Sequence, residues 1–111
     1  MSKTQKAEHP LISIVIVTYN SIDVIAPCLH SILRDSSGLH VETLVVDNGS
    51  HDATLEVVQR DHPWVHLIAG HGNIGFAAGN HIGFRKARGK YLLMLNPDTR
   101  LQPGALQALI D

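Results

Sequence analysis

The segment Leu11-Ile12-Ser13-Ile14-Val15-Ile16-Val17 constrains this chain more than any other. It is rich in β-branched residues and apolar at nearly every position, where a strand with one wet face would alternate. Such a run suits a strand buried on both sides, the situation of a parallel sheet covered by helices on both faces. At 111 residues the chain has room for one domain built around it.

The rest of the pattern agrees. Val41 to Val46, Trp64 to Ala69 and Lys90 to Leu95 read as three further strands. Between them the spacing turns helical. Val24, Ile25, Cys28, Leu29, Ile32 and Leu33 share one helix face, with Asn20 or Ser21 offering a cap. Pro27 either kinks this helix or begins it. Ser50 or Asp52 can cap a second helix through about Arg60, and a third runs from Phe76 to Arg88, stopped by Gly89. Pro103 opens a last helix whose apolar face is Leu106, Leu109 and Ile110. This alternation predicts an α/β domain over residues 11–111, a Rossmann-like, mostly parallel four-stranded sheet flanked by helices with right-handed crossovers. Residues 1–10 are polar and predict a flexible tail.

Ligands of such sheets sit outside the carboxyl ends of the strands. Each strand here ends in a polar cluster: Thr18-Tyr19-Asn20, Asp47-Asn48, the loop Gly70 to Gly75, and Asn96-Pro97-Asp98. The loop matches G-x-G-x-x-G, but a dinucleotide fingerprint belongs on the first strand–helix turn, which here is Thr18 to Ser21. A nicotinamide or flavin site and a plain tight loop both remain open for it. Gly79 and Gly83 either let the following helix approach its surroundings closely or are simply tolerated. Asp47 can accept from a nucleobase or ribose, or cap the next helix. Asp98 can bind a hard cation bridging a diphosphate, or serve the Asn-Pro-Asp turn.

Several classes are disfavoured. A net charge of -1 gives no overall field to steer nucleic acid or acidic membranes. A single cysteine, Cys28, forms no internal disulfide and fits a reducing compartment. The apolar runs are too short to span a bilayer. Of the eight histidines, His62 and His66 are four apart, but Pro63 lies between them, and scattered surface histidines are predicted rather than a zinc site.

Four segments occur in order: Ile14 to Asn20 (IVIVTYN), Leu44 to Ser50 (LVVDNGS), Asn73 to Asn80 (NIGFAAGN) and Leu93 to Asp98 (LMLNPD). From Leu11 onward the chain resembles the family 2 inverting glycosyltransferases of GT-A fold, within them the rhamnosyltransferase-like branch, enzymes of polysaccharide biosynthesis. The resemblance implies that Thr18, Tyr19 and Asn20 contact base and ribose. It gives base recognition to Asp47 with Asn48, and the nucleotide-sugar pocket to Asn73, Gly75, Phe76 and Asn80. The family's Asp-x-Asp motif falls on Asn96-Pro97-Asp98, so Asp98 would carry a divalent metal, Mg²⁺ or Mn²⁺, with Asn96 as a neutral helper.

The same resemblance implies transfer of a sugar from a nucleoside diphosphate donor to an acceptor hydroxyl. The acceptor would be a saccharide or lipid-linked glycan, and the location cytoplasmic, at the inner face of the membrane. In the family the general base lies well beyond Asp-x-Asp, and none is found in the 13 residues after Asp98. The expectation is therefore an N-terminal, C-terminally truncated part of the domain, inactive alone, whose exposed truncated edge invites self-association. A non-catalytic nucleotide-binding or interaction module is the alternative.

Overall fold

The structure is a computed structural model and describes residues 9–111. The tail predicted for residues 1–10 therefore lies, up to residue 8, outside the described residues. The apolar run becomes strand β1 (Ile12–Thr18), buried at all seven positions. It is followed by α1 (Ile25–Asp35), β2 (Val41–Asp47), α2 (Thr54–Asp61), β3 (His66–Ile68), α3 (Phe76–Lys86), β4 (Tyr91–Leu95) and α4 (Ala105–Ile110). The strands form one sheet in the order β3-β2-β1-β4, and every pairing is parallel.

This order explains why β1 has no polar face. Its even-numbered residues Ile12, Ile14 and Ile16 pack with Cys28, Leu29 and Ile32 of α1, Val58 of α2 and Leu106 of α4. Val15 and Val17 point the other way, with Leu44 and Val46, onto the α3 side where Ile82 and Phe84 close the layer. The steps β1 to β2 and β2 to β3 run one way across the sheet. The step to β4 runs back past both. A constant right-handed crossover must then put α3 on the opposite face from α1 and α2.

Local chemistry sets the element ends. α1 begins at Ile25, so Pro27 lies in its first turn, where no helical N–H is required, and the open choice over Pro27 resolves without a kink. Neither Asn20 nor Ser21 caps it. α4 begins at Ala105, two residues after Pro103, because Asp35 at the end of α1 accepts from the Gly104 and Leu106 amides at 2.7 and 2.9 Å. β3 is shorter than its apolar run. The Val65 amide is taken by the His62 carbonyl at 3.0 Å, which leaves only His66 to Ile68 to pair with β2.

Two glycines permit close approach. A Cβ on Gly83 would lie 2.4 Å from Val15 Cγ1, so α3 rests directly on the sheet there. A Cβ on Gly89 would lie 2.6 Å from the Ser13 backbone nitrogen, so this glycine does more than end a helix: it lets the chain cross the base of β1. Gly83→Ala forces α3 off the sheet and is expected to destabilise by roughly 1–3 kcal/mol, read as a lower urea midpoint with an unchanged slope.

One histidine is not at the surface as predicted. His62 closes α2, is 3% exposed, and its ring centre lies 5.2 Å from that of the tilted His30 ring and 5.9 Å from that of Trp64, which it meets edge-on. Burial holds its pKa below the ordinary value; the neighbouring His30 adds to this and Asp61 opposes it. The unfolded chain therefore binds this proton more readily than the folded one. Stability is held above the ordinary histidine range and is lost as pH falls through it. Thermal melts between pH 7.5 and 5 should show this loss, and a His62→Gln variant should show less of it.

Candidate functional site

Strand order reverses between β1 and β4, and this switch point opens a crevice at the carboxyl end of the sheet. A cavity of about 310 Å³ occupies it, lined by Val17, Tyr19, Ser21, Asn48, Asn73, Phe76, Asn96 and Pro97. The predicted residues Tyr19, Asn48, Asn73, Phe76 and Asn96 thus converge, although they come from four separate strand ends. The wall offers three amides, the hydroxyls of Ser21 and Tyr19 and two aromatic rings, with no carboxylate or imidazole. It is suited to recognition by hydrogen bonding and stacking.

Thr18 and Asp47 lie beneath the cavity. They face each other across the β1–β2 register, and the Thr18 hydroxyl donates to Asp47 Oδ1 at 2.8 Å. The Ser50 hydroxyl donates to the same oxygen at 2.6 Å, and the Gly49 and Ser50 amides donate to Oδ2 at 3.2 and 2.9 Å. Asp47 is 2% exposed, so its carboxylate is engaged within the protein and shapes the loop. Asn20 stands to one side. It takes a positive φ of 51° and accepts from the His51 amide at 2.7 Å, while its own amide donates to Ser50 Oγ at 2.8 Å. Tyr19 is left 45% exposed above this interlock.

Asn48 ties the second strand to the glycine loop. Its Nδ2 donates to the Gly75 carbonyl at 3.0 Å, and its Oδ1 lies 2.9 Å from His71 Nε2, a bond in which the Nε2-protonated ring donates. Gly75, with φ 90°, turns the chain into α3, and the Asn73 side chain accepts from its amide at 3.0 Å. The loop therefore bends back over the end of β2, and brings Asn73 and Phe76 to the cavity. Asn80, one turn further along α3, does not line this cavity. It borders a neighbouring hollow of about 360 Å³ with Phe76, Ala77, His81, Phe84 and Met94. It is 4% exposed, donates to the Phe76 carbonyl at 3.2 Å, and leaves its Oδ1 without a partner among the described residues.

Asn96 and Asp98 follow β4, and both are exposed. Asn96 reaches the cavity wall, and Asp98 does not line it. Burial pushes the thiol of Cys28, in the first turns of α1, up to about 11, and the charge of Asp98 adds to that rise. Among the described residues no three histidine, cysteine or acidic side chains converge on a point. The donors present are one carboxylate and one neighbouring amide. That set fits a hard cation completed by phosphate oxygens and water, rather than a cage built from protein alone.

Val17, Ser21, Pro97 and the bracing groups Ser50 and His71 were not among the predicted site residues. Ser50 had a signal: an aspartate followed by serine three positions on accepts from that residue's amide and hydroxyl. His71 had none, because its partner Asn48 is 23 residues away.

Residues 13–111 match the family described as glycosyl transferase family 2. The chain is 35% identical over 103 residues to the succinoglycan biosynthesis protein ExoO of Rhizobium meliloti, covering 92% of this chain and 29% of that protein. Its fold is similar to that of S. aureus TarS 1-349 in complex with UDP-GlcNAc, with a TM-score of 0.76, 24% identity and coverage of 89% of this chain and 30% of that one. It is also similar to the mannosyltransferase PcManGT of Pyrobaculum calidifontis in complex with GDP-Man and Mn²⁺, with a TM-score of 0.81, 23% identity and coverage of 92% and 32%. In each case the chain spans less than a third of the protein it matches. The parallel sheet, with its switch-point crevice, is that of GT-A glycosyltransferases. The chain belongs to glycosyl transferase family 2.

Proposed function

We propose that the switch-point cavity holds the nucleoside diphosphate of a sugar donor, and that the protein to which these residues belong transfers that sugar, with inversion, to an acceptor hydroxyl in polysaccharide biosynthesis. The observation that carries this reading is the convergence of Tyr19, Asn48, Asn73, Phe76 and Asn96 on one cavity. Tyr19 and Phe76 present exposed rings for the flat base, Asn73 and Asn96 offer donors and acceptors to ribose and diphosphate, and Asn48, held by Gly75 and His71, braces the wall between them. Thr18, Asn20, Asp47 and Gly75 act behind them by fixing the loops.

Asp98, with Asn96 beside it, would hold a divalent cation, which supplies electrostatic stabilisation to the departing diphosphate. The relatives fit this reading: one solved structure carries UDP-GlcNAc and another GDP-Man with Mn²⁺. The rhamnosyltransferase-like assignment rests on the four motifs in order, with Asn96 in place of the first acid of Asp-x-Asp. With no carboxylate or imidazole on the cavity wall, the acceptor's proton must go to a group outside the cavity, which is assigned to the portion of the relatives that this chain does not match. The same bare wall is what a recognition-only module would have, and transfer assays with the longer protein separate the two readings.

Calorimetry with UDP and dTDP, each with and without Mn²⁺, tests the donor site. Binding should tighten with the metal, and Asp98→Ala should remove that gain, a loss of about tenfold or more for one charge-assisted contact. Binding that ignores both Mn²⁺ and Asp98, or that prefers NADH, contradicts the proposal. Asp47→Ala should behave differently. By stranding the Thr18 and Ser50 hydroxyls and two amides, it is expected to cost about 2–4 kcal/mol of folding stability, seen in denaturant unfolding, where Tyr19→Ala costs less than about 1 kcal/mol.

A further inference from the structure

Three polar residues of α1, Ser31, Arg34 and Asp35, stand at helical spacing on one face. All three bond the backbone of the segment that follows β4. The Ser31 hydroxyl donates to the Cys28 carbonyl of its own helix at 2.7 Å. That bond fixes its proton and leaves its lone pairs for the Leu101 amide, which donates to it at 2.9 Å. The Arg34 guanidinium donates to the Leu101 carbonyl at 3.0 Å. The Leu101 side chain lies in the core with Ile32 and Leu106. Leu101 is thus held by its amide, its carbonyl and its side chain, and the two backbone groups depend on Ser31 and Arg34. Asp35 acts further on, at the Gly104 and Leu106 amides.

Leu101 is the far foot of a short arch that carries Asp98. The near foot is Leu95, the end of β4, which pairs with Ile16. Between the feet the Thr99 amide donates to the Asn96 carbonyl at 3.0 Å, closing a turn with Pro97 second and Asp98 third. Asp98 is exposed on this turn. Among the described residues, the hydrogen bonds that place it belong to the backbone of the arch. Asp47 is set differently, by four donors on its own carboxylate. The sheet fixes one foot of the arch, and two side chains of α1 fix the other.

A cation shared between one carboxylate, one amide and the oxygens of a diphosphate depends on how the protein groups are spaced. Such sites tolerate a displacement of only about 0.5 Å before contacts weaken. We propose that Ser31 and Arg34 are positioning residues for the metal: by pinning Leu101 they keep Asp98 in register with the switch-point cavity, so that one cation serves both its carboxylate and a bound diphosphate. Neither residue lines the cavity. The proposal rests on the donor reading above. It assigns the two residues to the metal's contribution and not to the nucleotide's own contacts, because Tyr19, Asn73 and Phe76 stand on other loops.

Calorimetry of the chain with UDP and dTDP, each with and without Mn²⁺, reads these contributions separately. Ser31→Ala and Arg34→Gln should each lower the Mn²⁺ gain in affinity roughly three- to tenfold, the range of one hydrogen bond, and leave metal-free affinity unchanged. Arg34→Lys keeps a donor and should restore most of the gain. Asp35→Ala frees the same segment beyond Leu101, so it should lower the melting temperature and leave the gain in place. Circular dichroism melts show which variants are folded, and Arg34→Gln, at an exposed position, carries the test if Ser31→Ala unfolds. With Asp98→Ala abolishing the gain, three results would each overturn the proposal alone: a gain intact in Arg34→Gln, a matching loss of metal-free affinity, or an equal loss in Asp35→Ala. A gain that survives Asp98→Ala, or no gain in the unsubstituted chain, would overturn the donor reading with it.

Discussion

Burying both faces of β1 is the constraint from which the rest of the structure follows. A strand that is buried at all seven positions and apolar at five of them must have helices above and below it and strands on both edges. Right-handed crossovers satisfy this with two helices on one face and a reversal that carries α3 to the other. That reversal opens the crevice between β1 and β4. The candidate site is therefore a consequence of how the core is closed, and its position was set before any of its side chains was chosen.

The crevice is held open by polar groups that mostly bond one another. Asp47 gathers Thr18, Gly49 and Ser50; Asn20 reaches the His51 amide; Asn48 holds Gly75 and His71. The Thr18, Asn20 and Asn48 bonds join one strand's end to another strand's end or loop, while the Gly49 and Ser50 amides close the turn after β2 on Asp47 itself. A buried carboxylate with four donors is rigid, and that rigidity leaves Tyr19, Asn73 and Phe76 free to face solvent in fixed positions. The division of labour is physical: the residues with satisfied side chains position, and the residues with exposed ones are available to a ligand.

Much of this was legible in the sequence, for identifiable reasons. The β-branched run of β1 and the 3.6-residue spacing of α1 specify element type on their own, and the polar clusters at strand ends specify the binding edge. What was not legible depended on contacts distant along the chain. Asp35 caps a helix some 70 residues away, which moved the start of α4 past Pro103. His62 was read as a surface histidine, because burial against His30 needs α1 and α2 to be packed first. Asn80 carries a pocket motif, yet the turn of α3 places it in the neighbouring hollow rather than on the switch-point cavity. That Asp47 is buried as a brace while Tyr19 stays exposed was also out of reach, since both sit at polar strand ends and only the packed loops separate them.

The central claim, that a nucleoside diphosphate occupies the crevice between β1 and β4, is tested most directly by amide chemical-shift mapping of the labelled chain titrated with UDP or dTDP in the presence of Mg²⁺. The shifts are predicted to centre on Tyr19, Asn48, Asn73, Phe76 and Asn96, with smaller changes at the bracing residues Thr18 and Ser50. Shifts confined to the α3–β4 face around Arg85 and Leu92, or the same pattern from a sugar phosphate lacking the nucleoside, would contradict it.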